Sequence, residues 1–252
     1  MSEKKEESTQ KGDFVLMEYT GKIKETGEVF STTLEEVAKK EGFHKEGTVY
    51  SPDLVVIGEN WVLKGLDEGI VGLKEGQTVT MEVPPEKGFG IRDPNKVKLV
   101  PLRKFKDERV APFPGLKLEI EGKPAIVRSV GAGRVQVDFN PSLAGKSLIY
   151  DVKIKSILKG EVEKINALVG RRIPAVSADK FGIEADAKKV IIKIPEEIFF
   201  VEGLQLAKRG INMDIQKFFP DVGEVTFTES FKKPSEPAAP EQQLKTSEES
   251  KK

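Results

Sequence analysis

Cysteine is absent from the 252 residues, which excludes disulfides, thiolate nucleophiles and Cys-based zinc or iron–sulfur sites, and leaves the fold to packing alone. Histidine is nearly absent. The single one, His44, lies in the polar run KKEGFHKEG, where it cannot build a His-based metal site or assist a serine nucleophile and is expected to be a solvated loop residue. Charge of one sign is not in excess: 41 Lys and Arg balance 41 Asp and Glu, so no global field recommends nucleic acid or a cationic partner. Long apolar runs are missing too. With no stretch of about eighteen apolar residues and a polar start, MSEKKEESTQKG, the chain is expected to be cytoplasmic, with no membrane partner. Gly65, Gly69 and Gly72 lack the Gly-Lys-Ser/Thr ending of a phosphate loop, and no cofactor or metal is expected. The adjacent carboxylates Asp67-Glu68 and Glu196-Glu197 point apart on a helix and are expected to be solvated.

What is present is a mixture of two periodicities. FVLMEYTGKIK (14–24) alternates as a strand with one buried face carrying Val15, Met17, Tyr19 and Ile23; a second strand covers 28–31 and a third Leu54 to Ile57. Leu34, Val37 and Ala38 predict a short helix ended by Gly42. In ENWVLKGLDEGIVGL (59–73), Val62, Leu63, Leu66 and Ile70 fall on one side of another short helix. A strand over 78–83 stops at Pro84-Pro85. Residues 97–140 predict an all-β unit of three or four strands, and 147–158 one more strand with Leu148, Tyr150, Val152 and Ile154 on one face. After Gly160 a helical stripe of Val162, Ile165, Leu168 and Val169 opens a separate α+β unit, with a strand at 190–194, a helix over 203–219 and a last strand, EVTFTESF. Residues 232–252 are too polar to offset the cost of ordering and are expected to be a disordered tail, with 1–11 a flexible N-terminus.

Six tags occur in register: Glu18 to Lys22 (EYTGK), Gly27 to Phe30 (GEVF), Val62 to Gly69 (VLKGLDEG), Phe89-Gly90, Leu143 to Lys146 (LAGK) and Leu148 to Val152 (LIYDV). Together they resemble the FKBP family of peptidyl-prolyl isomerases, and the inserted β unit is similar to the insert-in-flap module of the SlyD-like branch. With the C-terminal unit, 12–231 looks like an archaeal long-type FKBP. The resemblance implies an α+β fold: an antiparallel half-barrel around a short helix (12–96 plus 141–158), an inserted small all-β domain (97–140) and a C-terminal α+β domain (160–231). It implies a proline pocket walled by Tyr19, Phe30 and Tyr150, floored and flanked by Val62, Leu63 and Leu66, and closed by Phe89. Without the resemblance, Tyr19, Phe30 and Tyr150 read as core residues, whereas Phe89, in a glycine-flanked loop, is a functional candidate in its own right. Departures from the family pattern are Ser31 where an Asp is common, Phe89 where a Tyr is usual, Leu66 where a Trp is common, and Tyr150 where a Phe is usual. The histidine-rich metal tail of SlyD-type proteins is absent, so nickel binding is not carried over.

The expected partners are unfolded or nascent polypeptide clients. The insert has too few residues to bury all its apolar faces. By the resemblance it holds those clients through Val100, Leu102, Phe105, Ile126, Val127 and Val135; otherwise it is a small satellite fold. The helix at 203–219 either packs on its own sheet or serves a homodimer, and the resemblance favours the dimer. Two rival functions stand beside the isomerase: a holdase with a vestigial pocket, and an adaptor built on a dimeric C-terminal domain.

Overall fold

The computed structural model describes residues 8–107 and 110–231; the expected tail at 232–252 and the first seven residues lie outside them. In chain order the elements are β1 (Phe14–Ile23), β2 (Val29–Thr32), α1 (Glu35–Lys40), β3 (Asp53–Val56), α2 (Lys64–Gly69), β4 (Thr78–Val83), β5 (Val97–Pro101), α3 (Leu102–Asp107), β6 (Lys117–Ile120), β7 (Lys123–Gly131), β8 (Arg134–Asp138), β9 (Leu148–Leu158), α4 (Glu161–Arg172), β10 (Gly182–Ala185), β11 (Lys189–Ile194), α5 (Leu204–Phe218) and β12 (Glu224–Glu229).

The first sheet runs β2-β1-β9-β4, with β3 pairing the N-terminal half of β1 on the edge whose C-terminal half holds β2; all of these pairings are antiparallel. Its inner face carries Val15, Met17, Val83, Leu148, Val152 and Ile154 onto Leu66 and Ile70, so α2 is the element the sheet encloses. That helix is shorter than its apolar spacing suggests, because Leu63 keeps an extended ψ of 141° and Val62 and Leu63 precede the first turn. Gly65 lets α2 lie against β4: a Cβ there would stand 2.8 Å from the Val83 side chain. Asp67 is buried rather than solvated, because the Gly58 backbone N–H donates to both its carboxylate oxygens at 3.0 and 3.1 Å.

The outer face of this sheet is also covered, which the expectation of one buried face misses. Phe14, Leu54 and Val56 enter the same core as Ile165, Leu168, Val190, Ile192, Ile211 and Ile215 of the C-terminal unit. Phe14 meets Phe218 edge to face with centroids 5.1 Å apart. In that unit β11 pairs antiparallel with β10 and parallel with β12, and α5 makes the crossover that a parallel pair requires. The Leu204, Ile211 and Ile215 face of α5 is therefore spent on this chain's own core. Val162 is not part of the α4 stripe; it is 45% exposed. Arg172 ties α4 to α5 through a two-pronged bond to Asp214 at 2.7 and 2.8 Å.

The insert is a four-stranded sheet ordered β5-β8-β7-β6, and it also holds the helix α3, so it is not purely β. Phe105 of α3 plugs one face against Val127, Val135 and Val137. A polar latch fastens it to the first sheet's loops. Asp138 is fully buried and receives Arg92 at 2.8 Å and Arg128 at 2.9 Å, while the Asn140 backbone N–H and side-chain amide donate to its other oxygen. Burial pushes this carboxyl up, but the Asn140 donors, Arg128 and Arg92 outweigh it and hold it at about 2. The N-terminus is anchored where described: Thr9 is 1% exposed and its N–H donates to the Leu73 carbonyl at 2.8 Å. His44 is likewise tied down, stacked on Tyr50 with centroids 5.4 Å apart and with its Nε2 3.3 Å from Glu35.

Candidate active site

The site begins at an irregularity in the pairing of β1 with β2. Gly21 opposes Ser31 but Lys22 opposes Val29, so Phe30 is an extra residue in β2, a bulge of the kind that re-aims a side chain. Across the other edge of β1, Gly21 faces Tyr150 of β9. A Cβ on Gly21 would stand 2.8 Å from Phe30 and 2.9 Å from Tyr150, so the missing side chain makes room for two rings. Phe30 and Tyr150 meet edge to face at 5.8 Å, Tyr19 lies 5.9 Å from Tyr150, and Phe89 closes on Phe30 at 6.1 Å. Phe89 reaches there from the loop after β4. The next residue, Gly90, donates its N–H to the Pro85 carbonyl and accepts from Gly145, both at 2.8 Å.

The four aromatic positions expected from the sequence thus form one connected chain of rings, with partly buried Val62 and Leu63 packed against the same core. They are not equally reachable. Leu66 is 2% exposed and Tyr150 4%, so these two back the surface from beneath, whereas Tyr19 and Phe30 are half-buried and Phe89 is 38% exposed. Leu66 is therefore a support under the floor rather than the floor itself.

Asp53 was not foreseen. Met17 opposes Asp53 in the pairing of β1 with β3, which places Tyr19 diagonally across from it, and the Tyr19 hydroxyl donates to Asp53 Oδ2 at 3.0 Å. A carboxylate thus arrives from β3, although the position after Phe30 holds Ser31. Burial foremost and the Asp53 charge next push the Tyr19 hydroxyl up to about 12, so it remains a protonated donor through the neutral range. Burial also raises the Tyr150 hydroxyl, with Tyr19 adding to it. The surface therefore offers aromatic rings and, at its edge, one neutral hydroxyl, that of Tyr19.

The expected client residues divide. Phe105, Val127 and Val135 are at most 2% exposed inside the insert's own core, and cannot touch a client without unfolding it. Val100, Leu102 and Ile126 are half-buried. The insert's open apolar surface is instead Leu99 at 59%, Phe113 at 58% and Val130 at 39% exposed. Among the described residues, no helix is long and apolar enough to cross a membrane.

The chain is 32% identical over 154 residues to a short-type peptidyl-prolyl cis-trans isomerase of Methanocaldococcus jannaschii, covering 61% of this chain and 97% of that one. It belongs to the FKBP-type peptidyl-prolyl cis-trans isomerases. The FKBP-type 16 kDa isomerase of Escherichia coli is 26% identical, covering 60% of this chain and 95% of its own. The FKBP-type isomerase SlyD of Aeromonas hydrophila is 29% identical, covering 60% and 65%. Beyond these, the family described as "FKBP26, IF domain" matches residues 98–143, and that described as "FKBP26_C-terminal" matches 161–232. These two matches fall on the inserted four-stranded sheet and on the C-terminal unit.

Proposed function

We infer that this FKBP isomerises X-Pro bonds of unfolded polypeptides at the surface formed by Tyr19, Phe30 and Phe89, flanked by Val62 and Leu63 and backed by Tyr150 and Leu66. The observation that carries this is the connected chain of rings held open by Gly21 and joined by a protonated hydroxyl. Rotation about an X-Pro bond is slow because amide resonance imposes a barrier of about 18–20 kcal/mol. At the half-rotated state that resonance is lost and the imide is less polar than when planar. A dry aromatic surface therefore favours the twisted form, with no nucleophile or metal ion needed. Lowering the barrier by about 4 kcal/mol gives roughly a thousandfold acceleration. Asp53 acts as a positioning residue, fixing the Tyr19 hydroxyl at the edge of the ring surface. The test is cis/trans exchange of a short Ala-Leu-Pro-type peptide. The full chain accelerates it and Phe89→Ala loses most of the effect; equal rates for the two proteins would refute the assignment.

A second activity, client holding by the insert, is supported by its exposed Leu99, Phe113 and Val130 and by the free edge of β5. Exposed apolar side chains beside a strand edge that no described residue pairs suit extended, unfolded chain, and tethering raises its concentration at the isomerase surface. Replacing Leu99 and Phe113 with Ser is expected to weaken suppression of client aggregation while short-peptide turnover persists. Undiminished suppression would exclude the insert as the holding surface.

A further inference from the structure

A cleft of about 660 Å³ lies between the isomerase sheet and the C-terminal unit, a volume in the range of ligand sites. One wall is Leu16, Pro52, Asp53, Leu54, Trp61 and Val62; the other is Asn166, Ala167, Gly170, Arg171, Pro174 and Val176. The cleft adjoins the aromatic surface through two residues. Val62 belongs to both, and Asp53 receives the Tyr19 hydroxyl at 3.0 Å.

Its lining mixes apolar side chains with the polar groups of Ser51, Asp53, Glu163, Asn166, Arg171 and Ser177. The Arg171 guanidinium carbon sits over Trp61, 3.9 Å from the ring centre, so its charge is already engaged. Asn166 is different: its Oδ1 is buried and accepts no hydrogen bond from any described residue. A buried amide oxygen without a donor is unfavourable, and a donor brought into the cleft would relieve it.

We propose that this cleft is an extended subsite of the isomerase, and that it holds the stretch of client chain that runs on from the proline. The inference rests on the isomerase reading and adds a substrate class to it: an extended polypeptide, recognised beyond the proline by peptide N–H groups that pair with Asn166 and by apolar side chains against Trp61, Pro52 and Val176. Continuity selects this occupant. A chain leaving the ring surface past Val62 enters the cleft directly, and an extended segment carries the unpaired backbone donors that Asn166 lacks. Gly170 packs on Ala178, whose methyl would stand 2.9 Å from a Cβ there, and Ala167 adds a second small side chain to the far wall. The C-terminal unit then contributes to substrate selection because it supplies half of the walls.

The test uses the full chain with two peptides, a short Ala-Leu-Pro-type substrate and one extended by several residues on both sides of the proline. Trp61 is the chain's single tryptophan, so its emission reports on the cleft directly. The extended peptide is expected to shift that emission more than the short one. Asn166→Leu and Ala167→Phe are each expected to lower kcat/KM for the extended peptide about tenfold through KM, the scale of one lost contact, while short-peptide turnover is unchanged. Equal responses of both peptides to both variants, or turnover of the extended peptide with Trp61 emission untouched, would overturn the subsite. Failure of the unmodified chain to turn over the short peptide would instead remove the isomerase reading beneath it.

Discussion

The insert and the C-terminal unit are fastened to the same isomerase sheet by opposite means. The insert hangs on a polar latch in which one buried carboxylate, Asp138, gathers Arg92, Arg128 and Asn140. The C-terminal unit has no comparable boundary, since Phe14, Leu54 and Val56 of the sheet share a core with Ile165, Leu168 and Ile211. Directional bonds fix an orientation yet can be released by protonation or exchanged for water; a shared apolar core can be parted only by exposing it. The C-terminal unit is thus built as part of the isomerase body, and the insert as an attachment.

The largest effect should come from attacking the shared core. Phe14→Ala is expected to cost about 3–5 kcal/mol, the usual range for a buried Phe. Chemical denaturation should show the isomerase sheet and C-terminal unit unfolding in one transition at lower denaturant. Two separated transitions would show that the core does not couple them.

The latch should respond more moderately and more locally. Asp138→Ala is expected to cost about 2 kcal/mol, because its partners Arg92 and Arg128 are partly exposed and regain water. Amide exchange should quicken across β5 to β8 and stay slow in β1 and β9. The same latch is acid-sensitive: its carboxyl sits at about 2 in the fold against 3.8 ordinarily, so its contribution is complete above about pH 4 and is lost as pH falls toward 2. An insert whose exchange is indifferent to acid in that window would contradict this.

Smaller still is the contribution of Asp53, which stands where the sheet meets both the ring surface and the interdomain cleft. Asp53→Asn is expected to lower short-peptide kcat/KM about threefold, a fraction of a neutral hydrogen bond. It removes the charge that helps raise the Tyr19 hydroxyl, so that group should ionise at lower pH than in the parent, though burial still holds it above 10. Ultraviolet titration of tyrosinate checks the direction. In the parent, the raised Tyr19 also means that the fold loses stability as pH climbs from 10 toward about 12, since the unfolded chain releases that proton first.

Much of the isomerase sheet was legible from alternation. The strand expected at 78–83 is β4 (Thr78–Val83), and the face of Leu148, Tyr150, Val152 and Ile154 is the buried face of β9. The short element β10 was missed because its four residues, GIEA, carry too little alternation to stand out. The second buried face of β1 was missed for a different reason: FVLM is apolar at every position, and only the C-terminal unit's arrival explains Phe14 and Leu16. Family tags singled out Tyr19, Phe30, Phe89 and Tyr150, whose rings lie next to one another in the fold. They could not supply Asp53, whose role depends on the diagonal across the pairing of β3 with β1, nor separate Phe105, Val127 and Val135 from the open Leu99, Phe113 and Val130, because burial in a small sheet depends on where α3 packs.

The central claim is that proline rings meet this protein on its ring chain. Titrating a short X-Pro peptide into the full chain and following side-chain aromatic and methyl resonances tests it most directly. The account predicts that perturbations concentrate on Tyr19, Phe30, Phe89 and Tyr150, together with exchange broadening between the peptide's cis and trans signals. Perturbations confined to Leu99, Phe113 and Val130 of the insert, with no broadening, would contradict it.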